Sequence, residues 1–95
     1  MYFHSKEINR HFVSVDTSFD RVGTMIPRAI IWDDNRRFDI DQVLDFRPAD
    51  VYVPGLSGQA YEVVIGGNVR LLFFDRARPP LDDCRLGRWW VNSPL

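Results

Sequence analysis

The side chains that could carry chemistry are few in these 95 residues, and they are poorly spaced for it. His4 and His11 are the two histidines, and Cys84 is the one cysteine. A zinc-type site needs three or four His, Cys or carboxylate ligands at short, regular spacings, and no such run surrounds them. Ser14, Ser18, Ser57 and Cys84 could each be imagined as a nucleophile. A nucleophile needs a base within hydrogen-bond reach and a third group to orient that base, yet both imidazoles stand near the N-terminus. The acidic run DDNRRFDID, residues 33–41, lacks the central glycine and closing glutamate of a calcium loop. Gly55, Gly58, Gly66 and Gly67 precede no Gly-Lys-Ser or Gly-Lys-Thr and open no helix, so they read as turn glycines rather than a phosphate cradle. No catalytic residue, metal ligand or cofactor site is assigned, and the expectation is a protein that is not an enzyme.

What remains is surface chemistry. Arg76, Arg78, Arg85 and Arg88 stand beside Trp89 and Trp90, and guanidinium groups mixed with aromatic faces are the chemistry of single-stranded nucleic acid or phosphorylated partners. Asp75, Asp82 and Asp83 dilute that signal. A competing surface is apolar: Val64, Leu72, Phe74 and one of Trp89 or Trp90 would form a second oily face that a homodimer could bury, since interfaces favour aromatic residues and Arg. The leading expectation is a non-enzymatic, self-associating interaction module, with a nucleic-acid accessory role through Arg76, Arg78, Arg88 and an exposed Trp as the alternative. A net charge of −1 supplies no general pull toward nucleic acid or anionic membranes. The charge is unevenly divided, however: residues 33–50 hold six Asp against three Arg, and residues 70–88 hold five Arg against three Asp. Pairing within the chain accounts for this more simply than pairing between copies.

The framework that must hold these groups reads as β-structure. Nearly all anions are Asp and nearly all cations Arg, and Ala, Gln, Glu and Lys are scarce, which disfavours long surface helices. Residues 10–15 alternate as a strand. Residues 28–32 form another, bounded by Pro27, and turn at Asp34 and Asn35 into a returning strand. A three-residue loop there would place Trp32 opposite Phe38 and Ile30 opposite Ile40. The returning segment continues as a bulged strand to Pro48. Residues 49–59 read as a mobile loop rich in Gly and Pro. A second hairpin, AYEVVI-GGN-VRLLFF, with a three-residue turn would set Tyr61, Val63 and Ile65 against Phe73, Leu71 and Val69. Its other face, with Val64, Leu72 and Phe74, is too apolar to meet water and must be covered. Residues 75–87 form a further loop, and 88–92 a closing strand in which adjacent Trp89 and Trp90 point to opposite faces.

Strands joined by short turns, with no crossover helix, predict a mainly β fold: a small antiparallel sheet of five or six strands curled into an SH3-like or similar barrel. The chain is read as one domain over residues 1–95, with 1–8 a flexible or short-helical lead-in. One cysteine, no apolar run of about 20 residues and no secretory leader pattern point to the cytoplasm and away from a membrane partner.

The runs VSVD, PRAIIWDDNRRFDIDQVLDFRPA, YEVVIGG, LFFD and RWWV together resemble a family of short, uncharacterised bacterial β-rich proteins of unknown function. The resemblance spans most of residues 10–92 and rests on turn and core positions, so it implies the fold and carries no functional residue. This chain departs from it at Asn35, where such turns usually carry Gly, and in a longer insertion at 76–87.

Overall fold

Period-two alternation of apolar and polar residues gives each strand an oily face, and strands with such faces gain most by joining one sheet that closes over them. The computed structural model describes residues 9–77 and 85–95. Its strands are β1 (His11–Phe19), β2 (Met25–Ile31), β3 (Arg37–Asp39), β4 (Gln42–Pro48), β5 (Gln59–Ile65), β6 (Asn68–Arg76) and β7 (Gly87–Val91), with one 3-10 turn at Ala49–Val51. All pairings are antiparallel, in the order β3-β2-β1-β7-β6-β5-β4. No helix among the described residues is long and apolar enough to cross a membrane.

The outermost strands, β3 and β4, are consecutive in the chain, separated only by Ile40 and Asp41. Three peptide units reach about 11 Å at most, so the two edges must meet at this corner and the sheet must curl into a half-barrel. The backbone shows the handover: the Ile40 N–H donates to the Arg28 carbonyl on β2 at 2.9 Å, and the next N–H, of Asp41, donates to the Val64 carbonyl on β5 at 2.8 Å. This bend makes the sheet seven-stranded rather than five- or six-stranded, because what reads as one returning strand is split between opposite edges. β4 carries the expected bulge, with its register shifting between Val43 and Asp45.

Two registers differ from the sequence reading. The first hairpin closes through three residues, with the Trp32 N–H donating to Arg36 O and Asn35 at φ 67°, and that loop length pairs Ile30 with Phe38 and Ile31 with Arg37, whereas Trp32 opposite Phe38 would need a longer loop. In the second, Gly66 at φ 58° and Gly67 at φ 83° make a two-residue turn, which pairs Ile65 with Asn68 and Tyr61 with Leu72. Two successive positive-φ residues are what a type I′ turn requires, and the right-handed strand twist favours it. The change of one residue exchanges the faces of β6. Leu72 and Phe74 join Tyr61, Val63, Ile30, Trp89 and Val91 in the inner core, and Phe73 turns outward.

The outer face is covered from within the chain. Phe73, Trp90 and Ala60 form a second buried cluster with Ala49 and Leu56, flanked by Tyr52, Val53 and Leu71. Residues 49–58, expected to be a mobile loop, fold over these strands as a closed turn: Ala49 N–H donates to Gly58 O at 2.9 Å and Leu56 N–H to Val53 O at 3.0 Å. Trp90 stacks on Phe73 at 4.2 Å and 11°. Neither core contains a buried polar or charged residue among those described. The acids of 33–50 find arginines nearby: Arg36 with Asp34 and Arg47 with Asp45, each at 2.7 Å, and Arg37 with Asp39 at 2.8 Å and Asp16 at 2.7 Å. These pairs are exposed and contribute little stability individually.

Candidate binding cleft at the open end of the barrel

One end of the half-barrel is formed where β1, β4 and β6 finish and β2, β5 and β7 begin. Between β1 and β2 the Asp20 carboxylate accepts the N–H groups of Val22 at 3.0 Å and Thr24 at 2.9 Å, and Gly23 at φ 88° lets the chain reverse. The turn presents only small groups to the interior. Pro27, which has no N–H to donate, sits inside a strand because the β1–β2 register shifts between Asp16 and Thr17. The rings of Phe46, Tyr61, Trp89 and Phe74 form a continuous row with successive centroid distances of 4.7, 5.4 and 4.8 Å, and all but Trp89 face the hollow.

These elements enclose a cleft of about 900 Å³ lined by Phe19, Gly23, Thr24, Met25, Ile26, Pro27, Val43, Phe46, Tyr61, Phe74, Arg76, Ala77 and Leu86. Ligand sites are typically concave, about 300–1,000 Å³, and mostly apolar with a few polar groups. The rim is apolar too: Phe19 is 56% exposed, and Phe46 and Leu86 are each 54% exposed. Large apolar side chains concentrated around a hollow are the informative kind of exposure. Among the described residues the one charged residue in the lining is Arg76. It is the next inward position after Leu72 and Phe74, whereas Asp75 faces outward and takes the Arg10 guanidinium at 3.1 Å.

The Tyr61 hydroxyl donates to the Met25 carbonyl at 3.1 Å, tying β5 to the first residue of β2 beneath the cleft. Burial pushes the Tyr61 phenol above its ordinary value of 10.0, because the phenolate is poorly solvated there. A phenol whose value is raised by folding contributes stability that is complete below pH 10 and is lost as pH rises through the folded-state value. Tyr61→Phe is therefore expected to lose about 1 kcal/mol near neutrality with the hydrogen bond and to flatten the loss of stability above pH 10. Urea midpoints from pH 7 to 11.5 check both.

The residues expected to make one interaction surface are dispersed. Leu72 (0% exposed), Phe74 (8%) and Trp89 (8%) are inner core, and Trp90 (0%) belongs to the outer cluster. All four are covered within the chain itself, where the expectation was that a second copy would cover them together with Val64. Val64 is half-buried on the outer side, paired with Val69. Arg76 is at the cleft, and Arg88 is on the outer side opposite Asp75, its guanidinium 4.1 Å above the Phe12 ring. Arg78 lies outside the described residues, as do His4, Cys84 and the lead-in at 1–8. Of the remaining chemical candidates, His11 is stacked on Trp32 at 4.3 Å with Nε2 3.1 Å from an Asp33 carboxylate oxygen, and the Ser18 hydroxyl accepts from Arg28 Nε at 3.1 Å. Among the described residues no three His, Cys, Asp or Glu side chains converge as a metal site would require.

Sequence reasoning missed Phe19, Met25, Val43, Phe46 and Tyr61 as a site. The available signal was that Phe19, Met25 and Phe46 fall at strand ends, where alternation counts a residue as core although no opposing layer need fill the space. No protein-family model matches the chain, and no curated protein or solved structure matches it.

Proposed function

We propose that this chain is a non-enzymatic binding module of the small-barrel kind, SH3-like in compactness, that works in the cytoplasm and takes a small apolar molecule into the open end of its half-barrel. The observation that carries this reading is the cleft of about 900 Å³ with Phe19, Phe46 and Leu86 half-exposed around its mouth. Filling such a space recovers the dispersion contacts and apolar burial that its walls otherwise lack. Among the described residues no Asp, Glu, His or Lys lines the cleft, and the Tyr61 hydroxyl is engaged with the Met25 carbonyl, which supports binding over catalysis.

Binding of the neutral dye N-phenyl-1-naphthylamine tests the reading. Saturable fluorescence enhancement is expected with the wild-type chain. At least tenfold weaker binding is expected with Met25→Trp, which fills the cleft, provided its circular dichroism is native. Enhancement that is absent, or unchanged by the substitution, contradicts the reading.

Self-association remains a second proposal, favoured by the exposed rim of Phe19, Val22, Phe46 and Leu86 rather than by the buried residues first expected. Light scattering at high concentration distinguishes a dimer, lost on Phe46→Ser, from a monomer. A nucleic-acid partner has less support, because Arg88 and Arg10 share the outer side with Asp75. A salt-sensitive change in tryptophan emission on adding single-stranded oligonucleotide would restore it.

A further inference from the structure

We propose that the cleft's ligand is an amphipathic monocarboxylate, a free acid with an aliphatic or aromatic body, whose carboxylate is held by Arg76. This rests on the binding reading above and assigns its ligand class. Among the described residues no Asp or Glu lines the cleft, and Arg76 is the one charged residue there. Arg76 makes no ion pair or side-chain hydrogen bond among the described residues, whereas Arg10, Arg36, Arg37 and Arg47 each bind a carboxylate. Of the described acids, Asp75, next to Arg76 in the chain, binds Arg10 on the outer side, and Asp20, in the β1–β2 turn, accepts two backbone N–H groups of that turn.

A planar guanidinium accepts a carboxylate through two parallel N–H···O bonds, which sets the orientation of the molecule as well as adding attraction. The alternation of β6 points Arg76 to the same side as Phe74, so a carboxylate there leaves the rest of the molecule over Phe74, Tyr61 and Met25. A single arginine among the described lining residues suits one negative charge. A phosphate dianion, or the surface of an anionic bilayer, calls for several cations acting together. The free acid is therefore the source assigned, not a lipid within a membrane.

Displacement of N-phenyl-1-naphthylamine by dodecanoate and by dodecan-1-ol, both below their aggregation limits, tests the assignment. Partition out of water favours the alcohol, so a preference for the acid must come from the site. Dodecanoate is expected to displace the dye at a concentration at least tenfold lower than the alcohol. Arg76→Met, which keeps an unbranched apolar stem, is expected to erase that preference, read as the ratio of acid to alcohol displacement within the variant itself, and Arg76→Lys to retain part of it. Equal displacement by acid and alcohol, or an acid preference that survives Arg76→Met, overturns the inference while leaving the cleft as a binding site. A wild-type chain that fails to bind the dye at all overturns both. Flotation with phosphatidylglycerol vesicles in the absence of any response to dodecanoate overturns the free-acid assignment.

Discussion

Trp90→Ala is expected to bring the protein to the edge of unfolding at room temperature. The indole is fully buried, stacked on Phe73, and lies beneath the covering segment with Ala49, Leu56 and Ala60. Truncating a buried aromatic side chain costs about 3–5 kcal/mol, made up of lost transfer energy and the cavity left behind. Against a total stability of about 5–15 kcal/mol, toward the low end for a domain this short, little remains. Trp90→Phe should be milder for a second reason. The indole N–H has no hydrogen-bond partner among the described residues, so replacing it removes an unsatisfied donor as well as some volume. Thermal melts of both variants check the order: Phe close to wild type, Ala far below. Equal melting temperatures for Trp90→Ala and wild type would show that residues 49–58 do not seal a second core.

Gly87→Ala is the other substitution with a large expected effect. Gly87 pairs with Arg76 at the start of β7, and a methyl group built there meets the Asp75 carbonyl oxygen and the Phe74 ring. Backbone cannot give way as a side-chain tip can, so β7 must lift from β6. A cost of roughly 3 kcal/mol is expected, the upper part of the range for overpacking. The damage should centre on the mouth of the cleft, since Arg76, Ala77 and Leu86 flank the same point. Chemical denaturation checks the size, and loss of dye binding in whatever fraction stays folded checks the place. A stability within about 0.5 kcal/mol of wild type, the range of an indifferent surface substitution, would contradict the close approach of these strands.

How far the amino-acid pattern reached is best seen at the tryptophans. Trp89 and Trp90 are adjacent in an extended segment, so their division between two faces follows from strand geometry alone, and they do enter two separate clusters. The same argument required cover for both faces of the second hairpin, and cover is present. Its source was not legible, because residues 49–58 lack periodicity and their Gly and Pro content is equally that of a mobile loop. The face assignment of Leu72, Phe74 and Phe73 failed on one turn residue. Gly66-Gly67 and Gly66-Gly67-Asn68 are both plausible hairpin turns, and choosing the longer one moves every side chain of β6 across the sheet.

The corner at Ile40–Asp41 was hidden for a different reason. Each half of the segment alternates acceptably, and only the pairing partners, β2 for one half and β5 for the other, show that the chain changes edges. A cleft is harder still to foresee. It is space left between Phe19, Met25, Val43 and Phe46, contributed by three strands, and alternation describes which way a side chain points without describing what it meets. Arg76 was singled out for its charge, as part of an outward Arg/Trp surface, whereas it stands at the mouth of the hollow.

The claim on which the rest depends is that the open end of the half-barrel receives an apolar ligand. The chain has two methionines, Met1 and Met25, and the second lines the cleft. Labelling the methionine methyl groups with carbon-13 therefore places one resolved signal inside the proposed site. On titration with N-phenyl-1-naphthylamine the Met25 signal should shift with the same saturation curve as the dye's fluorescence, while the Trp90 indole N–H on the far side of the sheet stays in place. A dye that binds and leaves the Met25 methyl unmoved would contradict the account.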